Sequence, residues 1–310
     1  MQVQHKVSPR SWLAFELNVL RRAKFTSAAL PFTPDPALGA YLKRWNVRVS
    51  ANDPTLSGWT RSEAAITNCE VQLSEDEVNA VLEDAYVPGY KLSNPALSNW
   101  FSETDAWWFD NVRRRIDTLP SPTARAIAST IAMAAGQYVL SFTDDNREYR
   151  QPLSQAFRRF WSIQPRPFDN HARNSSSNRS PDDFVAESFA DLLFLRLPPA
   201  HGQTTRAFMG RRAWTEEWIR GGNEFWNELE ASMTGRLGAP TETKSQYLRL
   251  VDELLRKASH IEHWAIAHVE TGFITTQDIV ETISKIRRVD TIYTKDFSEL
   301  SGTKAVVITA

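Results

Sequence analysis

The chain of 310 residues has one cysteine, Cys69. A single thiol excludes an internal disulfide framework and, with no second cysteine at ligand spacing, a thiolate zinc site. His260, His263 and His268 do not make up a metal set either, because residues five apart on a strand face opposite sides. Long apolar runs are missing: none approaches the roughly 18 residues that span a bilayer. The opening MQVQHKVSPRSW lacks the apolar core of a signal sequence, so the expected location is the cytoplasm. Excess charge is missing as well, with 36 Lys and Arg against 37 Asp and Glu. Proteins that hold nucleic acid by charge carry a basic excess, so any DNA contact must come from a local basic face. Glycine is sparse, at 12 residues, and neither a phosphate-binding glycine loop nor a Ser/His/Asp signature is present.

What remains is ordinary globular composition, long enough for one large domain or two lobes. The central stretch is ADLLFLRLPPA, Ala190–Ala200. Leu192–Leu195 is a short continuous apolar run, the pattern of a strand buried on both faces of a parallel sheet. Pro198 and Pro199 fix φ twice and remove two donors, so the chain leaves the sheet as a stiff loop at the edge where α/β sheets bind ligands. Further strands are expected at Val47–Ala51 and Trp264–Val269, with a βα turn between Phe32 and the helix Ala37–Lys43, and a final edge hairpin from Thr291–Tyr293 and Val306–Ile308. Helical periodicity marks Ser11–Arg22, Ala37–Lys43, Lys244–His260 and Thr276–Ile286. Alternating strands and helices predict an α/β fold: a doubly wound, mostly parallel sheet with a helical insertion. Asp53 ends the second strand, where an acid either accepts a ribose hydroxyl or closes a loop-capping Asx turn.

The insertion is expected over residues 70–160. Ser74 and Glu77 form a capping box ahead of Val78, Val81 and Leu82. Glu103–Leu119 puts Trp108, Val112 and Ile116 on one face, and Ala124–Leu140 is a small-residue helix suited to close packing. Arg113, Arg114 and Arg115 with Arg158 and Arg159 make either a basic face for DNA or a solvated face diluted by neighbouring aspartates. The stretch 171–183 reads as a polar, mobile loop, ending with Ser180 as N-cap and Pro181 as first helical residue. Trp214, Trp218, Phe225 and Trp226 read as core or partner surface rather than a base cage.

Taken together, four segments resemble the adenine-N6 DNA methyltransferases of the Dam-like class with a D-P-P-Y or D-P-P-F motif. Phe32 and Thr33 match the start of that family's F-S-G-S-G, Lys43, Asn52 and Asp53 match further on, and Pro34 and Pro36 stand where it has glycines. WFSETDAWWFDNVRRRID is similar to its F-F-x-x-x-N-x-x-x-I-D-x-I-R helix. Asp191, Phe194, Pro198 and Pro199 keep the frame of its catalytic strand, allowing one extra residue. Around the later strand Gly272 matches, and Ala267, His268 and Val269 replace S-Y-N. The resemblance implies a Rossmann-like methyltransferase fold made of 1–69 and 161–310, with 70–160 as a target-recognition-like insert. It also implies an S-adenosylmethionine site at Phe32, Thr33, Pro34, Asp35, Pro36, Asn52, Asp53 and Asp191. The catalytic position falls at Arg196, Leu197, Pro198, Pro199, Ala200 and His201.

The departures carry a chemical message. Pro34 and Pro36 cannot adopt positive φ and have no N–H, and Asp35 puts a negative charge where the cofactor carboxylate belongs. Losing two donors and adding like-charge repulsion costs on the order of several kcal/mol, roughly a thousandfold in affinity. Methyl transfer to an exocyclic amine needs an acceptor for the amine hydrogens; in the family an Asp carboxylate and the adjacent proline carbonyl provide it. Here Arg196 or Leu197 precedes the prolines, and neither side chain accepts a hydrogen bond. Ala200 replaces the aromatic residue, losing base stacking worth about 1–3 kcal/mol. His201 offers either a ring for stacking or proton transfer, or a solvated loop side chain. The sequence thus predicts a degenerate methyltransferase that binds DNA or a partner within a modification or restriction system. The alternatives are an active, diverged methyltransferase using backbone carbonyls with His201 or Asp191, and an α/β scaffold reused for protein contact.

Overall fold

The computed structural model describes residues 10–270, 273–298 and 302–310. Gly272, part of the family-like pattern, lies outside them. Seven strands form one sheet: β1 (Ser27–Leu30), β2 (Arg48–Asn52), β3 (Ser175–Ser177), β4 (Leu192–Arg196), β5 (His263–Glu270), β6 (Thr291–Asp296) and β7 (Lys304–Thr309). Their spatial order is β3-β2-β1-β4-β5-β7-β6. β7 runs antiparallel to both of its neighbours, and the remaining pairs are parallel. Four residues of β4 are buried in succession, as a two-sided apolar run requires.

Helices cover both faces, so the α/β doubly wound architecture expected from the sequence is present. On one face α1 (Arg10–Leu20) and α2 (Ala37–Arg44) pack Trp12, Val19, Leu38 and Leu42 against Ala28, Val49, Leu192 and Phe194. On the other, α8 (Pro181–Glu187), α12 (Lys244–Lys257) and α13 (Thr276–Ser284) pack against Ala29, Leu193, Leu195 and Ile266. Polar groups lock the elements together. Arg196, on the α1 face of β4, meets buried Glu16 of α1 through two hydrogen bonds of 3.0 and 2.6 Å.

Between β2 and β3 the chain builds a helical lobe from α3 (Leu56–Ser62), α4 (Glu75–Leu82), α5 (Glu103–Asp117), α6 (Pro122–Leu140) and α7 (Leu153–Ser162). The Ser74–Glu77 capping box forms as the sequence indicates. The lobe is not confined to 70–160. α9 (Thr205–Met209), α10 (Ala213–Arg220) and α11 (Trp226–Met233) follow β4, and Trp214 and Trp218 of α10 are fully buried within the lobe's core. Two adjacent buried acids on α10 make the attachment. Glu216 accepts from the N–H groups of Leu56 and Ser57 at the start of α3, and Glu217 accepts from Arg206 and the indoles of Trp100 and Trp226.

Two local expectations are corrected. The stretch 171–183 is not all loop, because Ser175–Ser177 pairs with β2 as an edge strand. Its side chains bury no apolar surface; Asn174 Oδ1 accepts from the N–H of Val49 at 2.9 Å and fastens the strand instead. Ser180 precedes α8 at the N-cap position but makes no capping hydrogen bond, so Pro181 opens the helix through its fixed φ alone.

Candidate functional site at the carboxyl edge

A doubly wound sheet binds ligands at the carboxyl ends of its strands, where the connections diverge to opposite sides. Here that point lies between β1 and β4. The loop after β1 carries Phe32 to Pro36, the loop after β2 carries Asp53, and the loop after β4 carries Leu197 to His201, so most of the expected site residues do share one edge.

Asp53 is only 2% exposed. Its carboxylate accepts from the backbone N–H of Thr33 at 3.0 Å, the N–H of Thr55 at 2.9 Å and the Thr55 hydroxyl. The bond to Thr55, two residues on, closes the Asx turn allowed by the sequence, and the bond to Thr33 ties the β1 loop to the β2 loop. Burial pushes its carboxyl up to about 6, with Glu216 adding to the rise against the pull of those hydrogen bonds. Asn52 is fully buried; its amide donates to the carbonyls of Pro31 and Arg179, and its oxygen accepts from Arg179 N–H. Thr33 donates its hydroxyl to Leu30 at 3.2 Å. The Asp35 carboxylate accepts from Ala37 N–H at 2.9 Å and occupies the first donor of α2, the one an incoming anion would seek. Pro34 supplies a carbonyl to Arg61 at 3.3 Å.

The β4 loop is equally self-contained. Leu197 is buried and donates its N–H to Ala267 at 2.9 Å. The carbonyl of Pro198 accepts from the buried Tyr247 hydroxyl at 2.8 Å. Pro199 is exposed and Ala200 partly buried. His201 is a correction to the solvated-loop expectation: it is 7% exposed and stacked on Phe208 at 3.7 Å between ring centroids. Arg196 points to the opposite face, held by Glu16 as described above.

Asp191 and Lys43 leave the site. Asp191 precedes β4 and therefore lies at the amino edge, where it accepts from Thr26 N–H and hydroxyl and from Ser27 N–H at 2.7–3.0 Å. The Thr26 hydroxyl contributes most to holding its carboxyl below the usual range. Its expected cofactor role is withdrawn on position alone. Lys43 is 2% exposed and donates to the carbonyl of Asn68 at 2.6 Å.

Three features escaped the sequence. Tyr247 falls at an apolar position of the Lys244–His260 periodicity, which gives its hydroxyl no separate signal. The pair Glu216–Glu217 looks like any surface acid pair until its tryptophan and arginine partners are in place. The third is the segment after α11. Leu237 is 1% exposed, and Gly238 has φ +97°. A β-carbon on Gly238 would stand 3.4 Å from the Phe32 ring and 3.7 Å from Pro198 Cγ. This backbone therefore rests on the end of β1 and the end of β4 together.

The basic residues of the lobe are largely matched by polar neighbours. Arg113 pairs with Asp117, Arg114 with Asn111, and Arg115 lies 3.1 Å from Glu83 and 3.5 Å from Asp84. Arg158 donates to Asn79 at 2.7 Å, and Arg159 is exposed. Arg115 and Arg158 thus flank α4, whose first turn itself carries Glu75, Asp76 and Glu77. Among the described residues no group of three or more metal-ligating side chains occurs, and no helix there is long and apolar enough to cross a membrane. No family model and no curated protein matches the chain.

Proposed function

We propose that this chain is a degenerate relative of the adenine-N6 DNA methyltransferases, acting as a DNA- or partner-binding subunit of a modification or restriction system rather than as a methyl-transfer enzyme. Its ancestry is supported by the sheet. The doubly wound, mostly parallel sheet is the one the resemblance implies, and the reversed strand β7, inserted between β5 and β6, distinguishes its order from the dinucleotide-binding order 3-2-1-4-5-6.

The loss of activity rests on one observation: the chain's own Leu237–Gly238 segment packs against Phe32 and Pro198, across the crevice between β1 and β4. Around that segment the expected contacts are already satisfied. Asp53 already accepts from three internal donors, and the Pro198 carbonyl holds Tyr247 rather than an amine. The residues present do not fit S-adenosylmethionine. Opening the crevice would expose the buried Leu237 side chain.

Calorimetric titration with S-adenosylmethionine tests the proposal. No heat of binding is expected, nor any radiolabelled methyl transfer to adenine in DNA. Micromolar binding, or transfer abolished by Asp53→Ala, would overturn it. An electrophoretic shift assay across salt concentrations examines DNA as partner; binding that weakens as salt rises supports it.

A further inference from the structure

Beside that crevice, outward from β1, lies an open cleft of about 270 Å³ between the ends of β2 and β3 and helix α11. Arg179, Arg220 and Arg236 line it together with Glu228. Glu187 and Glu216, outside the lining, pair with two of the three arginines, so the cleft offers guanidinium forks rather than a net positive charge. Each arginine uses one nitrogen on a neighbour. Arg179 meets Glu187 at 2.7 Å, Arg220 meets Glu216 at 2.9 Å, and Arg236 donates to the Ser232 carbonyl at 2.7 Å. A guanidinium carries five N–H donors in a fixed fork, so each retains donors for an oxyanion.

The cleft is also partly preorganised. Glu216 is fully buried and holds Arg220 from behind, while the Phe225 ring lies 4.8 Å from the same guanidinium. Holding a recognition group in place before binding reduces the entropy lost on binding. Leu229, Met233 and Leu237 make the remaining wall apolar. Arginine forks beside an apolar wall suit an anion with an attached carbon framework better than a bare ion.

We propose that this cleft binds the phosphate of a nucleotide, with the phosphate oxygens on the three arginines and the sugar or base against the apolar wall. The ligand is either a free nucleotide or a phosphate of a polynucleotide backbone. The proposal stands apart from the methyltransferase ancestry and from the S-adenosylmethionine titration.

The test titrates the full chain with adenosine monophosphate, with adenosine, and with a short DNA duplex. Phosphate-dependent binding is expected: the monophosphate binds and adenosine does not. Arg236→Glu should weaken binding about tenfold or more, and Arg179→Gln should weaken it less. Both side chains lie at the rim, and an unfolding temperature kept within about 2 °C shows that the fold is intact. A duplex that binds more tightly than the monophosphate, with a salt slope that Arg236→Glu flattens, assigns the site to a polynucleotide backbone. Monophosphate binding with no tighter duplex assigns it to a free nucleotide. The proposal is overturned if neither phosphate ligand binds at low salt, if adenosine binds as well as its monophosphate, or if both arginine variants bind unchanged.

Discussion

At Asp53 two demands conflict: the loops need its oxygens as acceptors, and its burial disfavours its charge. The folded carboxyl titrates at about 6 against an ordinary value of 3.8. A carboxyl raised on folding gives stability that is fully present below the lower value and is lost as pH rises through the higher one. The chain should therefore lose up to about 3 kcal/mol of unfolding free energy between pH 4 and pH 7 from this residue. Asp53→Asn removes the titration, so urea denaturation of the two proteins at a series of pH values should show curves that diverge over that window. Parallel curves would mean that Asp53 does not carry the shift. The sequence located this acid correctly after a strand, with its two possible roles. It could not foresee how far the acid is used internally: Thr55 closes the Asx turn locally, but the Thr33 N–H comes from a loop twenty residues earlier. Glu216 and Glu217 were still less legible: burial of an acid depends on donors that only the assembled fold delivers.

Helix α6 shows the same contrast one level up. Its small, apolar composition was read as a sign of close packing, and Gly136 is where that closeness is greatest. A β-carbon there would fall 2.2 Å from the buried indole of Trp214. Gly136→Ala would gain about 1 kcal/mol of intrinsic helix preference but force Trp214 or the helix axis to move, an overpacking cost of about 1–3 kcal/mol. Net destabilisation is expected, read as a lower midpoint in thermal unfolding; a raised midpoint would show that the indole relaxes freely. Strong periodicity made α12 and β4 readable, whereas β3 left no trace. Three serines carry no apolar alternation, and their pairing is set by Asn52 and Asn174, whose side chains reach neighbouring backbone across more than 120 residues of sequence. The Ser180 cap failed for a related reason. A good capping residue type describes what a side chain can do, and here that hydroxyl is buried without accepting from the first turn of α8.

At the scale of the molecule, the alternation of strands and helices was enough to anticipate the doubly wound sheet, its edge hairpin and the presence of an insert. It did not give the insert's limits, because Trp214 and Trp218 complete that core from beyond β4. A fragment spanning 70–160 should accordingly fail to show cooperative unfolding or dispersed amide resonances, while a complete chain shows both. A folded, cooperative fragment would return the boundary to where the sequence placed it. The arrangement also orders events during synthesis. The helices between β2 and β3 leave the ribosome with an indole-sized gap at their centre, and the residues that close it emerge only after β4 has been made. For that interval the nascent chain presents a sticky, half-finished surface, and shielding by a chaperone will matter most before residue 218 is translated.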